Sequence, residues 1–331
     1  MELFFLALRT IVLGVFGCVA WFWGSNWLLD RAFPARGPNA GRNVVRAGVI
    51  RPWLFLGPAI LFLGVYLLYP IFVSLWYSLH NSGRTEFVGL ANYKWLAGSQ
   101  GFRESMRNNM LWLLVVPAAA TFFGLIAAQL TDRIRWGNFA KSLIFMPMAI
   151  SFVGAGVIWK FIYEYREPGT EQIGLLNAVV QALGGTPQVW LTLPLWNNLF
   201  LMLVLIWIQT GFAMVILSAA LRGIPEETVE AAILDGANPW QIFFRIKVPQ
   251  IWGTIAVVWT TITIIVLKIF DIVFVMTSGQ WGTQVLANLM YDWMFRGSPD
   301  FGRGSAVAMV LMGLVVPIMV WNIRNLRREG R

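Results

Sequence analysis

Residues 222–250 form a polar stretch between two long apolar runs, and their spacing gives the first indication of a specific chemistry. Pro225 suits the first turn of a helix, and Glu226 and Glu227 would then lie near the positive end of the helix dipole. Small and apolar residues recur at intervals of three and four, at Val229, Ala232, Ile233 and Gly236. This pattern predicts a short helix outside the bilayer with one small, apolar face, which must pack on something.

The same stretch continues beyond this helix. Asn238-Pro239 is predicted to break it, and a second apolar segment then leads to Pro249 at the start of the next apolar run. The chemistry that these residue types favour is docking of one helix against another surface, not acid–base or nucleophilic catalysis.

Polar side chains inside the apolar runs form a second set of candidates, because burying a charged group at mid-span costs on the order of 2.5 to 3.5 kcal/mol. They lie before and after the 222–250 stretch, at Gln209, Thr210, Thr260, Thr261, Thr263, Lys268 and Asp271. Two roles are open for them. They can contact a transported solute, or they can serve packing: Thr260 and Thr263 through hydrogen bonds between helices, and Lys268 and Asp271 as a pair on one helix face.

Residue types exclude several other functions. The single cysteine, Cys18, lies in an apolar run and the single histidine is His80, so neither a disulfide framework nor a cysteine or histidine metal site is available. The motifs H-E-x-x-H and G-x-x-x-x-G-K-[ST] do not occur, so nothing here can cradle a triphosphate in that manner. The sequence therefore predicts no catalytic residues, no metal and no cofactor bound by this chain.

Composition identifies the elements that must position these residues. The chain has 331 residues, of which 58% are hydrophobic and 12% charged, against about 45–50% and about 25% in soluble domains. Seven apolar runs approach or exceed the ~18–20 residues that cross a ~30 Å hydrocarbon core. They are 3–29, 52–79, 109–130, 142–163, 196–221, 251–276 and 304–323. The predicted fold is an all-α, multi-pass membrane protein with a first anchor helix and a six-helix core.

The net charge of +9 could suggest nucleic acid, but the basic residues cluster in short loops between the runs. When the loops are assigned alternately to the two sides, one side carries fifteen Lys and Arg residues and the other seven. The positive-inside rule makes the richer side cytoplasmic, so the N-terminus is predicted outside and the C-terminus inside. Membrane topology thus accounts for the charge, and nucleic acid is not an expected partner.

The 222–250 stretch resembles the EAA signature of ABC importer permeases, which reads E-A-A, three residues, G, nine residues, I, one residue, L-P. The matching residues are Glu230, Ala231, Ala232, Gly236, Ile246 and Pro249. Val248 in place of leucine is the one departure. The sequences on either side of the motif are similar to those of sugar permeases of the maltose type, at Gly223 to Glu227 and at Leu267 to Asp271. Taken together, residues 52–331 look most like α-glucoside permeases. The resemblance covers residues 52–331.

The resemblance implies a set of partners. The EAA helix would dock on a separate ATPase dimer that holds ATP and Mg²⁺, and a second homologous permease would complete the pathway. A solute-binding protein would deliver a sugar, which the resemblance implies is a disaccharide or α-glucoside. It implies that the helices around 222–250 line the central cavity, with sugar contacts at Gln209, Phe212, Thr261, Lys268 and Asp271. It also implies a bacterial inner-membrane location.

Other functions stay open at this stage. A permease of the same class for glycerol phosphate or a polyamine is possible on the residues, although no span interior of the core offers the arginine that a phosphate would favour. A secondary transporter is the remaining alternative, without paired broken helices or a ring of carboxylates to support it. The predicted domains are residues 1–51, the anchor helix with a basic cytoplasmic linker, and 52–331, the permease core.

Overall fold

The computed structural model describes residues 2–167 and 169–329, and within those ranges it contains helices and no strand. The helices are α1 (Glu2–Ala32), α2 (Ala40–Leu63), α3 (Tyr69–Ser78), α4 (Ala91–Gly98), α5 (Gln100–Thr131), α6 (Gly137–Phe145), α7 (Phe152–Ile162), α8 (Leu175–Ala182), α9 (Trp196–Arg222), α10 (Glu226–Leu234), α11 (Pro239–Gln241), α12 (Val248–Gln250), α13 (Trp252–Leu267), α14 (Asp271–Met276), α15 (Leu286–Phe295) and α16 (Phe301–Glu329). π-Helical turns at Gly64–Leu68 and Ile242–Lys247 join α2 to α3 and α11 to α12.

Five stretches of the described chain are single helices that are long and apolar enough to cross a membrane, and two bent pairs raise the number to as many as seven. Helices suit this environment because each satisfies its own backbone hydrogen bonds where water is absent. The predicted all-α fold with about seven spans is therefore confirmed, whereas the predicted N-out, C-in orientation stays a prediction.

The chain divides into two compact units, Met1–Val73 and Ser74–Arg331. In the first unit, the Trp21 indole donates a hydrogen bond to the Leu54 carbonyl at 3.0 Å, and Arg51 pairs with Asp30 at 2.9 Å. These contacts hold α1 against α2. The apolar side chains on both helices are mostly exposed, as lipid-facing residues are.

One predicted boundary in this unit differs from the structure. Residues 40–51, predicted as part of a linker, belong to α2, which passes through Pro52 and Pro58 without a break. The reason is that hydropathy marks the part of a helix that lies in lipid and not the turns that extend into water. The predicted domain boundary after residue 51 stays a prediction, and the compact units divide at Val73.

The second unit is built around α9, which packs against α5 over much of its length. Leu201, Leu205 and Leu217 of α9 are fully buried. Small residues allow this close approach: a Cβ on Gly124 of α5 would meet the Met214 nitrogen of α9 at 2.9 Å.

Two of the predicted spans are bent. The run predicted as 142–163 turns by 104° between Ala149 and Phe152, and α13 meets the preceding helix, Pro239–Gln250, at 70°. The run predicted as 251–276 also ends early: α13 stops at Leu267 and Asp271 begins the separate helix α14. Apolar residues on both sides of each break kept the hydropathy high, so the breaks were not visible in composition.

Replacing Gly124 with a large side chain tests the α5–α9 contact. We expect Gly124→Leu to lower the stability of the detergent-solubilised chain by about 1–3 kcal/mol, because overpacking forces the two helices apart. Thermal unfolding followed by tryptophan fluorescence measures this loss. Gly313→Leu is the matched control, since nothing lies within 4 Å of a Cβ at that position. Equal melting temperatures for the two variants would show that stability does not depend on close contact between α5 and α9 at Gly124.

Candidate functional site

Helix α10 has a start and an end that its sequence specifies. Asp235 closes the helix, and Gly236 follows in the left-handed region at φ +77°. The Ala237 amide donates to the Ala232 carbonyl and the Gly236 amide to the Ile233 carbonyl, both at 3.0 Å. This pair of bonds is the Schellman motif, in which glycine is favoured because it has no Cβ to strain. Gly236 is therefore required by the backbone at the end of α10.

Asn238-Pro239 begins the next helix, so the expectation that it breaks α10 is wrong. The Asn238 side chain accepts a hydrogen bond from the Gln241 amide at 2.9 Å, and the Gln241 side chain accepts one from the Asn238 amide at 2.8 Å. This is a capping box with proline at the first helical position. The helix continues through the π-turn, where Ile246 is half-buried, to Pro249, which is exposed.

The predicted small face of α10 divides into two parts. Val229 packs against the core of the second unit and Ala232 is buried, whereas Ala231 is exposed. Large apolar side chains point to solvent instead. They form what we name the exposed apolar surface, made of Ile233, Leu234, Trp240 and Phe244. Leu234 is 88% exposed, and the Trp240 and Phe244 rings stack at 5.8 Å. Exposed apolar side chains of this size are typical of a contact with another protein or with the membrane.

A cavity of about 630 Å³ lies beside α10. Glu226, Val229 and Glu230 of α10 line it, together with Lys247. Its other walls come from the ends of α5 and α9 and the residues that follow, through Gln129, Asp132, Arg133, Leu221, Arg222 and Ile224. Glu230 thus lies among residues of both charges.

Asp132 joins three helices at the wall of this cavity. Its carboxylate accepts hydrogen bonds from Lys141 of α6, from Ser218 of α9 at 3.1 Å and from Arg222 at 3.1 Å. Lys141 also donates to the Ser218 hydroxyl at 2.7 Å. We name these four residues the Asp132 cluster. Because Arg222 ends α9 directly before α10, the cluster fixes the point from which the 222–250 segment leaves the bundle.

The electrostatics of the cluster favour an ionised Asp132. Partial burial by itself raises the pKa of this carboxyl, but the hydrogen bonds from Lys141 and Ser218, together with the charges of Lys141 and Arg222, hold the pKa below its ordinary value of 3.8. The carboxylate is thus charged at neutral pH and can bind all three donors at once.

Sequence reasoning missed this cluster. Asp132 and Ser218 were not singled out, and Lys141 and Arg222 entered only as charges that set topology. The donors lie 9, 86 and 90 positions from Asp132 along the chain. No local spacing could have connected them.

The predicted substrate-path residues lie at different depths. Gln209 is buried and Phe212 packs against the core, both on α9. Thr261 is half-buried and donates its hydroxyl to the Val257 carbonyl at 2.8 Å. Lys268 is exposed at the end of α13, and Asp271 is half-buried at the start of α14.

Pairing of Lys268 with Asp271 on one helix face is wrong, because the helix ends between them. Within residues 2–167 and 169–329, no ion pair joins the two side chains. Ile269 is buried in the break, and Phe270 packs its ring at 5.3 Å from Tyr291 of α15. These contacts hold residues 268–270 in a non-helical conformation between α13 and α14.

The structure thus combines a bundle of helices that are long and apolar enough to span a membrane with a polar segment that exposes apolar side chains beside a charged cavity. Residues 120–324 match the family described as "Binding-protein-dependent transport system inner membrane component". The chain belongs to this family. It is a multi-pass inner-membrane protein and a permease subunit of an ABC importer.

Two curated relatives are similar over most of the chain. The "Alpha-glucoside transport system permease protein AglF" of Rhizobium meliloti (strain 1021) is 69% identical over 333 residues, covering 100% of this chain and 99% of the relative. The "Osmoprotective compounds uptake permease protein GgtC" of Synechocystis sp. (strain ATCC 27184 / PCC 6803 / Kazusa) is 50% identical, covering 84% and 99%.

A solved structure shares the fold. A chain of a bacterial ABC transporter involved in the import of the acidic polysaccharide alginate matches with a TM-score of 0.73 at 20% identity, covering 86% of this chain and 98% of that one. At this identity, the likeness supports the helical architecture alone.

Removing the charge of Asp132 tests the cluster. At pH 7 we expect Asp132→Asn to destabilise the chain by about 1.5–3 kcal/mol, because the hydrogen bonds lost are to a charged group. A carboxyl with a lowered pKa stabilises the fold above its unfolded pKa, and this contribution is lost as the pH falls through the folded value. The gap between wild type and variant should therefore close in acid, below pH 3.8.

Melting temperatures in detergent from pH 7 downward measure this gap. Asp30→Asn is the matched control, because Asp30 also pairs with an arginine but its side chain is 72% exposed, where such a pair contributes about 0–1 kcal/mol. A gap for Asp132→Asn that does not change with pH would contradict the role of the ionised carboxylate.

Proposed function

We propose that this chain is one permease subunit of an ATP-driven, binding-protein-dependent importer of α-glucosides, in particular of a disaccharide. The observation that carries the proposal is 69% identity to an α-glucoside permease along the whole chain. Because substrate contacts in a permease are spread over several helices, identity maintained from end to end supports a shared substrate class better than a local motif does.

The proposed assembly has four further chains. A second, homologous permease completes the pathway, two ATPase subunits bind ATP and Mg²⁺, and a solute-binding protein delivers the sugar. The 222–250 segment lies on the cytoplasmic side, with the N-terminus outside and the C-terminus inside, in agreement with the distribution of basic residues. This chain itself binds no nucleotide.

The exposed apolar surface is the proposed contact with the ATPase. Leu234 and the stacked rings of Trp240 and Phe244 give it hydrophobic anchors, and such anchors contribute most of the energy of protein interfaces. Glu230, exposed on the same helix at the rim of the cavity, would pair with a basic residue of the ATPase. Ala231 leaves room for close approach, whereas Ala232 and Gly236 shape α10 itself.

Transport follows as alternating access between two states of the permease pair. Closure of the ATPase dimer on ATP displaces α10. The displacement reaches α9 through Arg222 and the Asp132 cluster, and reaches α13 through the bent stretch Pro239–Gln250. Lys268 and Asp271, beyond the far end of α13, are proposed sugar contacts, and Gln209, Phe212 and Thr261 are proposed to line the path between them and the coupling side.

A second candidate substrate class rests on the osmoprotective-compound permease, which is 50% identical over most of this chain. The lower identity makes osmoprotectant uptake the weaker proposal. The two substrate classes are separable by experiment.

Uptake by a deletion strain tests the substrate class. We expect a strain lacking this chain to lose high-affinity uptake of radiolabelled maltose and to regain it with the gene supplied in trans. Excess trehalose or unlabelled maltose should compete, and glycine betaine should not. Uptake of betaine that depends on this chain, with none of maltose, would favour the osmoprotectant class and refute the proposal.

Charge reversal at Glu230 tests the docking helix. We expect Glu230→Lys to abolish co-purification of the ATPase and maltose uptake while the chain still inserts in the membrane. Leu234→Asp should do the same, because it replaces an apolar side chain of the exposed apolar surface with a charge. Glu227→Lys is the matched control, since Glu227 is exposed on the same helix but does not line the cavity. Normal association and uptake in both Glu230→Lys and Leu234→Asp would contradict docking at this surface.

A further inference from the structure

A row of polar side chains runs along one face of α15 and the residue pair before it. Gln284, Asn288 and Asp292 follow at intervals of four residues. The Gln284 amide donates to the Asp292 carboxylate at 2.8 Å, and the Asn288 amide donates to the Gln284 side chain at 2.5 Å. We name these three residues the polar row. Their hydrogen bonds hold the amides and the carboxylate in fixed orientations.

An aromatic row lies against the polar row. It consists of Phe270, Phe274, Tyr291 and Phe295, whose neighbouring ring centroids are 5.0 to 5.3 Å apart. Phe270, Phe274 and Tyr291 are half-buried, and Phe295 is 63% exposed. The rings from α14 and α15 thus make a continuous apolar surface that is open on one side.

Arg296 connects the two rows. Its guanidinium lies 5.3 Å from the Phe274 ring centroid and pairs with Asp292 at 3.2 Å. It also donates to the Ser278 hydroxyl at 3.3 Å. A cation over an aromatic face and against a carboxylate is held in one geometry, and the Asp292 charge is balanced locally.

The polar row is not fully satisfied within this chain. Asn288 is completely buried, and its side-chain oxygen has no hydrogen-bond partner among the described residues. Because that oxygen is enclosed by the chain itself, a ligand cannot reach it. The polar side chains that stay accessible beside the rings are Gln284 and Asp292, which are half-buried, and Arg296, which is exposed.

We propose that the polar row, the aromatic row and Arg296 form a binding site for a pyranose ring of a neutral glycoside. The inference rests on the proposed function and assigns sugar contacts that the sequence did not single out. Pyranoses stack their C–H faces on aromatic rings and direct hydroxyls to planar side chains such as carboxylate, amide and guanidinium. Both kinds of group are present side by side here.

The location fits an entry site. Helix α13 separates the 222–250 segment from α14 and α15, and its sixteen residues span about 24 Å. Asp271 lies directly after Phe270, at the start of α14. A sugar held on the aromatic row would therefore lie next to the proposed contacts Lys268 and Asp271, on the side of the membrane opposite the ATPase.

Direct binding tests this site. The complete complex is purified without its binding protein, and equilibrium binding of radiolabelled maltose is measured by scintillation proximity. We expect Tyr291→Leu and Asp292→Asn each to weaken binding about tenfold, and Tyr291→Phe, which keeps the ring, to stay within about twofold of wild type. Phe295→Leu, at an exposed ring, should weaken binding several-fold and provides the test if Tyr291→Leu does not assemble.

Glu171→Gln is the charge-matched control, because Glu171 is exposed in the loop between α7 and α8. Binding equal to wild type in Asp292→Asn and Phe295→Leu would overturn the site, as would failure of the wild-type complex to bind maltose at all. Uptake by the reconstituted wild-type complex is measured in parallel with the binding protein. If the wild-type complex takes up no maltose, the proposed function is refuted. If it takes up maltose normally while the variants bind maltose as well as wild type does, only this site is refuted.

Discussion

Close approach of α9 to its neighbours is the constraint on which the second unit depends. Lipid supplies no hydrophobic force between spanning helices, so they associate through packing and hydrogen bonds and need small residues where they cross. Gly124 of α5 and Gly211 of α9 supply them: a Cβ on Gly211 would lie 2.6 Å from the Ile144 carbonyl oxygen of α6. Because α5 and α6 are both packed closely against α9, the end of α5 and the start of α6 lie next to the end of α9.

The Asp132 cluster follows from that geometry. Its carboxylate comes from the end of α5, its lysine from α6 and its hydroxyl and arginine from α9, so it can form only where the three helices converge. Such a cluster would be expensive inside the hydrocarbon, and it lies instead at the helix ends beside a polar cavity. It ties the first residues of the 222–250 segment to two helices other than α9. In the proposed mechanism, the bundle therefore shares any displacement of α10.

Much of this was predictable from the sequence, and the remainder had physical reasons not to be. Hydropathy located the spans, and the spacing from Glu230 to Pro249 predicted the segment that is proposed to contact the ATPase, because both signals are local. The end of α10 at Asp235 was missed because Asn-Pro is a stronger sequence signal for a helix end than a single glycine. In the structure, the Schellman bonds at Gly236 end the helix before Asn238 is reached. The break after Leu267 was missed because tertiary contacts of Phe270 decide it. The Asp132 cluster depends on contacts between distant positions that no spacing rule records.

Helix α13 is the element that can relate the two proposed sites, the exposed apolar surface and the sugar site. It begins at Trp252 after a 70° bend from Pro239–Gln250 and ends beside Lys268, Phe270 and Asp271. A regular helix of this length is stiff, whereas the π-turn before it and the break after it are the points where backbone angles can change. Because the helix is stiff, a rotation of α13 about these points would move both of its ends at the same time. In the proposed mechanism, displacement of α10 by the ATPase would then change the surroundings of a bound sugar. No residue would need to contact both nucleotide and substrate, because a shared helix is enough to couple the two proposed sites.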